Sequence, residues 1–534
     1  MNTQKQQNQN TTQKNVRPKR RKGNTVRLVI MALFIVLQAC FLVVSLFFLD
    51  LFAISFYILF QLIGAITAIR IIATNQNPSY KIAWISMILA IPVVGVIFYS
   101  IWGGARNPRR IKRRVPILKK LPLPNHPESE AVFQRLSAAY PFQAQTSRFL
   151  SNLGFPLYAG TETAYYDLGD TFFPALLESI QKAEHFIFLE FFIISKGKMW
   201  DELYAVLCER AAAGVEVRVL YDDLGSMTTL DNSFPKKYGR ENLKIAVFNP
   251  VKPVLSHFHI NYRNHQKICV IDGKIGYTGG VNIADEYINL VDAFGHWKDS
   301  GVKLEGPGVQ SMTVMFLQMW NYGQRTQKKD QLDALSQYFP HFDAPLNDQK
   351  NSGFVQPLCD GPLDADNRPM EYLYMYMINH ARKYIYITTP YLVLDNEMST
   401  ALCMAAKGGV DVRIMTPGIP DKKYVYALTR SYYGRLLKAG VRIFEYTPGF
   451  LHAKNVVSDD ETALVGTVNM DFRSFYMHYE NAVWTCGTPI VKDLYEDFTL
   501  TQKQCREITY ESWKNRPFWY KVIQGILTIF APML

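Results

Sequence analysis

The sequence predicts an α/β protein made of two similar halves that form one pseudo-twofold unit, preceded by helices apolar enough to cross a bilayer. Three observations carry this. First, Asn264-His265-Gln266-Lys267-Ile268-Cys269-Val270-Ile271-Asp272 is echoed by His452-Ala453-Lys454-Asn455-Val456-Val457-Ser458-Asp459, and both read His-x-Lys-x4-Asp. Each continues to a glycine, Gly279 or Gly466, and then to Asn282 or Asn469, 17 residues after its histidine. Second, a strand–helix–strand order precedes each motif. Third, three long uncharged runs stand near the N-terminus.

Residues 1–26 are Gln/Asn/Thr-rich and then basic, with Arg17, Lys19, Arg20, Arg21 and Lys22. They cannot form a core and read as a disordered cytoplasmic tail. Residues 27–104 read as a transmembrane region. Leu28–Leu49, Leu51–Ile69 and Ile82–Trp102 are each long enough to span, and the third contains Pro92 and Gly95, which allow it to break. Basic clusters flank the region on both sides. Positive-inside reasoning therefore favours two crossings, a multi-pass protein of the cell membrane and a cytoplasmic catalytic region. Residues 105–148 form a basic, Pro-rich linker suited to anionic headgroups or to a solvated spacer.

The first half, 149–335, begins with a buried strand at Phe186–Leu189, a helix at Trp200–Ala213 and a strand at Val215–Leu220. The second, 336–515, repeats this with Tyr384–Ile387, Met398–Lys407 and Val410–Met415. Each His-x-Lys then leads into a further strand, and alternation places its histidine and lysine on one face. Residues 516–534 end in an apolar, uncharged segment behind Trp519 and Tyr520, too short to span and suited to an interface or to packing on the core. The net charge of +12 favours an anionic partner. Seven cysteines, none in a Cys-x-x-Cys pair, suit a reduced compartment.

Two imidazoles facing each other suit a two-step displacement at phosphorus, one attacking and the other moving the proton. Lys267, Lys454, Asn282 and Asn469 are candidates for binding the non-bridging oxygens. Two ammonium groups can neutralise a phosphodiester, so neither metal nor cofactor is expected. Each histidine needs a carboxylate to fix its tautomer, and Asp299 and Glu480 are the candidates. They fall at matching places in Trp297-Lys298-Asp299-Ser300-Gly301-Val302 and His478-Tyr479-Glu480-Asn481-Ala482-Val483. Asp272 and Asp459 complete the motif and count among its catalytic candidates, although as strand-ending residues they suit a turn-holding role better. His257, His259, His296 and His478 read as surface or core residues, and Asp222–Ser226 as a loop.

The paired motifs resemble those of the phospholipase D superfamily. Ile260–Lys267 with Gly279–Tyr287, and Phe450–Lys454 with Asn469–Phe475, look like bacterial cardiolipin synthases. Pro78–Gly104 and Trp513–Leu534 resemble that family too. Thr467 departs from it, a serine being usual there, but keeps the hydroxyl. The resemblance implies transfer of a phosphatidyl group between two phosphatidylglycerol molecules, giving cardiolipin and glycerol through a phospho-histidine. It also implies that His265 is the nucleophile and His452 the general acid and base, whereas the residues alone allow the reverse. The expected partners are phosphatidylglycerol and anionic membrane lipid, without nucleic acid. The motifs fit a hydrolytic membrane phospholipase D equally well. The apolar runs disfavour a nuclease, and intact motifs in both halves disfavour an inert scaffold.

Overall fold

The computed structural model describes residues 50–74, 76–103, 129–251, 262–323, 333–342, 353–362 and 367–533. The basic tail, the run Leu28–Leu49, linker residues 105–128, His257 and His259 lie outside the described residues.

Each half is built on a mixed sheet whose central strands are covered on both faces. Such strands read as near-continuous apolar runs rather than as alternating ones. Phe186–Phe191 and Tyr384–Thr388 are of this kind, every residue buried. The first sheet has the order Glu162–Tyr166, Gly301–Glu305, Ile275–Gly279, Ile268–Ile271, Phe186–Phe191, Glu216–Asp222, Leu243–Phe248. The second repeats it as Phe354–Asp360, His478–Cys486, Thr462–Gly466, Asn455–Ser458, Tyr384–Thr388, Asp411–Pro417, Arg442–Tyr446. Gly214 and Gly409, at φ +93° and +96°, follow the helices Lys198–Ala212 and Asn396–Lys407 and turn the chain into the next strand.

The helices Val309–Gly323 and Pro489–Gln502 lie between the two sheets. Phe316, Met312 and Met315 from the first and Leu494 and Phe498 from the second join one core with Phe188, Tyr386, Val465 and Val483. Both sheets contribute to that core, so neither half is complete alone. The exchange extends to the sheet edges. Tyr158–Ala159, from the first half, pairs with Phe354–Asp360 of the second. Arg263–Asn264 pairs in parallel with His478–Tyr479, and Gly449–Leu451 pairs in parallel with His296–Lys298. Each half thus lends the strand just ahead of its motif histidine to its partner.

Asp50–Ile72 is one helix, whereas the run from Ile82 is interrupted. The helix from Pro78 stops at Ala90, and Pro92–Phe98 folds back on it at Gly95, where a Cβ would stand 2.5 Å from the Ile88 Cα. Among the described residues no helix is both long and apolar enough to cross a membrane. Exposed apolar side chains are nonetheless concentrated here, with Ile58, Leu59, Leu62, Ile66, Ile69 and Ile82 all more than half exposed. The C-terminal helix, Phe518–Phe530, pins Gln524 against the Ala427 carbonyl, while Phe518, Trp519, Ile526 and Ile529 face outward.

Candidate active site

The sheet edges bring both His-x-Lys segments to the junction of the halves. The His265 backbone N–H donates to the Tyr479 carbonyl at 2.9 Å, and the His452 N–H donates to the Lys298 carbonyl at 2.7 Å. Glu480 and Asp299 are each one residue beyond those carbonyls, and the orienting bonds therefore cross. His265 Nδ1 meets Glu480 Oε2 at 2.9 Å, and His452 Nδ1 meets Asp299 Oδ2 at 2.6 Å. Each half supplies the carboxylate for the other half's imidazole. Strand register confirms that the two acids are equivalent: Gly301 pairs with Gly279 and Ala482 pairs with Gly466.

The site is closed. Both histidines are 7% exposed, and Lys267 and Lys454 2% and 1%. Burial pushes the His265 imidazole down to about 3 and that of His452 to about 4, against the pull of their carboxylates. Both rings are therefore neutral at rest, with Nδ1–H donated to the acid and Nε2 without a proton. Burial opposes the carboxylate charges as well, but His452 and Lys454 overcome it at Asp299, and His265 and His478 at Glu480, so both carboxyls are held below the usual range. The lysines are desolvated too: Lys267 is pushed down to about 7 and Lys454 to about 8. The charge of Lys454 contributes to the shift of Lys267, and the charge of Lys267 to that of His452, which places the two sets in one electrostatic field. Each ammonium donates one bond to its own histidine's carbonyl.

The asparagines differ. Asn282 is occupied by protein: Oδ1 accepts from Ile193 N–H at 3.0 Å and Nδ2 donates to Tyr287 Oη at 2.8 Å. Asn469 Oδ1 is buried without a hydrogen bond.

The third motif acids do not join the cleft. Asp272 accepts the backbone N–H groups of Glu184, His185 and Phe186, each at 2.8 Å. Asp459 accepts those of Arg382, Lys383 and Tyr384 at 2.8–3.0 Å. Both sit at positive φ, +53° and +58°, in turns that close the strand behind the histidine. Their expected place among the catalytic residues is corrected to a structural one, because every carboxylate oxygen is committed to the backbone. Asp222, expected in a loop, likewise anchors the His265 segment, accepting the Asn264 N–H at 3.0 Å and pairing with Arg263.

Sequence reading missed three participants. Thr467 Oγ1 donates to Glu480 Oε2. Gly280, its counterpart, has no room for a side chain, since a Cβ would meet Asp299 Oδ1 at 1.9 Å. His478 lies beside His265, their ring centroids 5.6 Å apart. Two of these were visible as positions in the repeat, Gly280 against Thr467, but their partners were not. Among the described residues one group has the ligand atoms to hold a metal ion: His265, His478 and Glu480, all within 4.8 Å of one another.

The family model described as a cardiolipin synthase, phospholipase D-like domain matches residues 176–320 and 374–501, and a phospholipase D-nuclease N-terminal model matches 53–104. A cardiolipin synthase of Geobacillus kaustophilus is 36% identical over 474 residues, which is 88% of this chain and 91% of that protein. An uncharacterized protein of Streptococcus mutans serotype c is 40% identical over 458 residues, 85% of this chain and 96% of that one. The crystal structure of phosphatidylserine synthase from Haemophilus influenzae Rd KW20 superposes with a TM-score of 0.55 at 17% identity, covering 73% of this chain and 98% of that one, a likeness of fold. With both motif repeats, the crossed histidine–carboxylate pairs and relatives matched over most of their length, the chain belongs to the cardiolipin synthase family of the phospholipase D superfamily.

Proposed function

We propose that this protein is a cardiolipin synthase that transfers a phosphatidyl group from one phosphatidylglycerol to the free hydroxyl of a second and releases glycerol. The observation that carries the reading is the exchange of orienting acids, His265 with Glu480 and His452 with Asp299, which commits both imidazoles to one buried site. In the first step His265 Nε2 attacks phosphorus, the bond to the glycerol oxygen breaks, and His452 protonates the departing alkoxide. In the second step His452 removes the proton from the incoming lipid hydroxyl, that oxygen attacks phosphorus, and the bond to His265 breaks. Lys267 and Lys454 hold the non-bridging oxygens. Arrival of the phosphate anion offsets their desolvation and raises the proton affinity of His452, so the general acid is charged when the substrate is bound. Burial of the site favours a lipid hydroxyl over water as acceptor.

The exposed apolar side chains of the N-terminal helices and of Phe518–Phe530 face the bilayer in this reading. The two regions adjoin, since the turn Ala531–Met533 packs beside the helix from Pro78. We assign the protein to the cell membrane, with crossings by the N-terminal apolar runs and the catalytic halves on the cytoplasmic side. The basic surface draws in anionic lipid. Phosphatidylglycerol labelled in its phosphate, supplied in vesicles with EDTA present, is expected to yield diphosphatidylglycerol and free glycerol in equal amounts. Phosphatidic acid as the main product would make the enzyme a hydrolase, and loss of turnover with EDTA would overturn the metal-free scheme.

A further inference from the structure

Glu480 uses only one of its oxygens. Oε2 takes the His265 Nδ1–H and the Thr467 hydroxyl, while Oε1 is buried with no hydrogen-bond partner. A buried carboxylate oxygen without a donor is costly, so its surroundings call for a donor. The nearest candidate is His478 Nδ1, 3.7 Å away and itself buried without a partner. His478 and Glu480 are two residues apart on one strand, His478–Cys486, and so share a face.

The fold does not require an imidazole at this place. The equivalent position in the other half is Trp297, whose ring lies 5.5 Å from His452. There the second oxygen of the acid is already satisfied, Asp299 Oδ1 accepting from Ser300 N–H at 2.9 Å. Only the His265 side combines an open carboxylate oxygen with a neighbouring imidazole nitrogen that has no partner of its own. The charges that act on His478 come from several elements: Glu480 on its own strand, Asp222 at the end of Glu216–Asp222, Asp471 ahead of the helix Phe472–Tyr476, and His265. Arg263 pairs with it across the strands and is itself bound to Asp222.

We propose that His478 is a positioning residue for the nucleophile, acting through Glu480: its Nδ1–H donates to Oε1 and keeps the shared proton on His265 Nδ1 during the covalent step. The inference rests on the phosphatidyl-transfer reading. After attack, the His265 ring carries the phosphoryl group on Nε2 and a proton on Nδ1, and this cationic ring is a good leaving group. If Glu480 removed that proton, a neutral phosphoimidazole would remain and would resist displacement by the second lipid. A hydrogen bond donated to Oε1 makes Glu480 a weaker base and prevents this. His478 touches neither lipid nor phosphorus in this scheme.

The test uses full-length protein turning over vesicles of phosphatidylglycerol labelled in its phosphate, quenched in alkaline detergent, where phospho-histidine survives. His478→Phe, which keeps a flat ring but no donor, is expected to raise the enzyme-bound label at least threefold and to lower kcat about tenfold, with KM within twofold of the parent value. His478→Trp, which places the other half's residue there, serves as the second variant if the first melts early, and the same shift is expected. Unchanged bound label together with unchanged kcat in either folded variant would overturn the proposal. So would a raised KM with kcat intact, which would make His478 a lipid contact. No bound label in the parent or in any variant would instead remove the covalent scheme itself.

Discussion

At the scale of single residues, the decisive feature is desolvation. Lys267 and Lys454 owe their lowered proton affinity first to burial, and the carboxylates of Asp299 and Glu480 only partly restore it. The sign follows directly. The charged ammonium is the form present below about 7 for Lys267 and below about 8 for Lys454, and it is lost as pH rises through those values. Because kcat/KM reports the free enzyme, it should decline on the alkaline side across that interval. Phosphate bound to the site reverses the cost, so titration with inorganic phosphate at pH 8 should be accompanied by uptake of about one proton. Calorimetry in buffers of differing ionisation enthalpy measures it. A flat alkaline profile with no proton uptake would mean that neither lysine is desolvated in the free enzyme.

At the scale of elements, the two halves show how a repeat diverges while keeping its geometry. Gly279-Gly280-Val281-Asn282 and Gly466-Thr467-Val468-Asn469 end equivalent strands, yet one leaves space for an aspartate and the other gives a hydroxyl to a glutamate. Gly280→Ala should displace the Asp299 carboxylate and release His452 from its tautomer. A loss of about a hundredfold in kcat is expected, as misplacing a catalytic group by an ångström produces. The thermal midpoint should change little, because the displaced group is a single side chain. Steady-state kinetics beside a melting curve checks this, and wild-type kcat in the variant would show that the close approach is relaxed in solution.

At the scale of the whole molecule, the candidate site is assembled by the pair of halves and not by either one. His265 and His452 each take a carboxylate and a backbone anchor from across the junction, and one apolar core runs between the sheets. Either half made alone should therefore be inactive. Co-production of residues 1–350 with residues 351–534 should restore turnover if the two pieces find each other. Activity from a lone half would contradict the crossed arrangement, unless that half proves to dimerise in a sizing experiment.

The sequence by itself determined the repeat, the α/β class, the buried strands and the identity of the histidines, lysines and orienting acids. These are legible because each is written locally, in motif spacing and in runs of apolar residues. Asp299 and Glu480 could be found because they fall at the same step of the repeat. Which acid serves which histidine was decided only by the tertiary structure, since the exchange depends on strands 153 and 215 residues apart in sequence lying edge to edge, as Leu451 does with Lys298 and Asn264 with Tyr479. The structure alone also placed Asp272 and Asp459 on backbone amides outside the cleft, satisfied one asparagine and not the other, and set His478 beside His265. Such contacts follow from packing two sheets against shared helices, and nothing local in the chain encodes them.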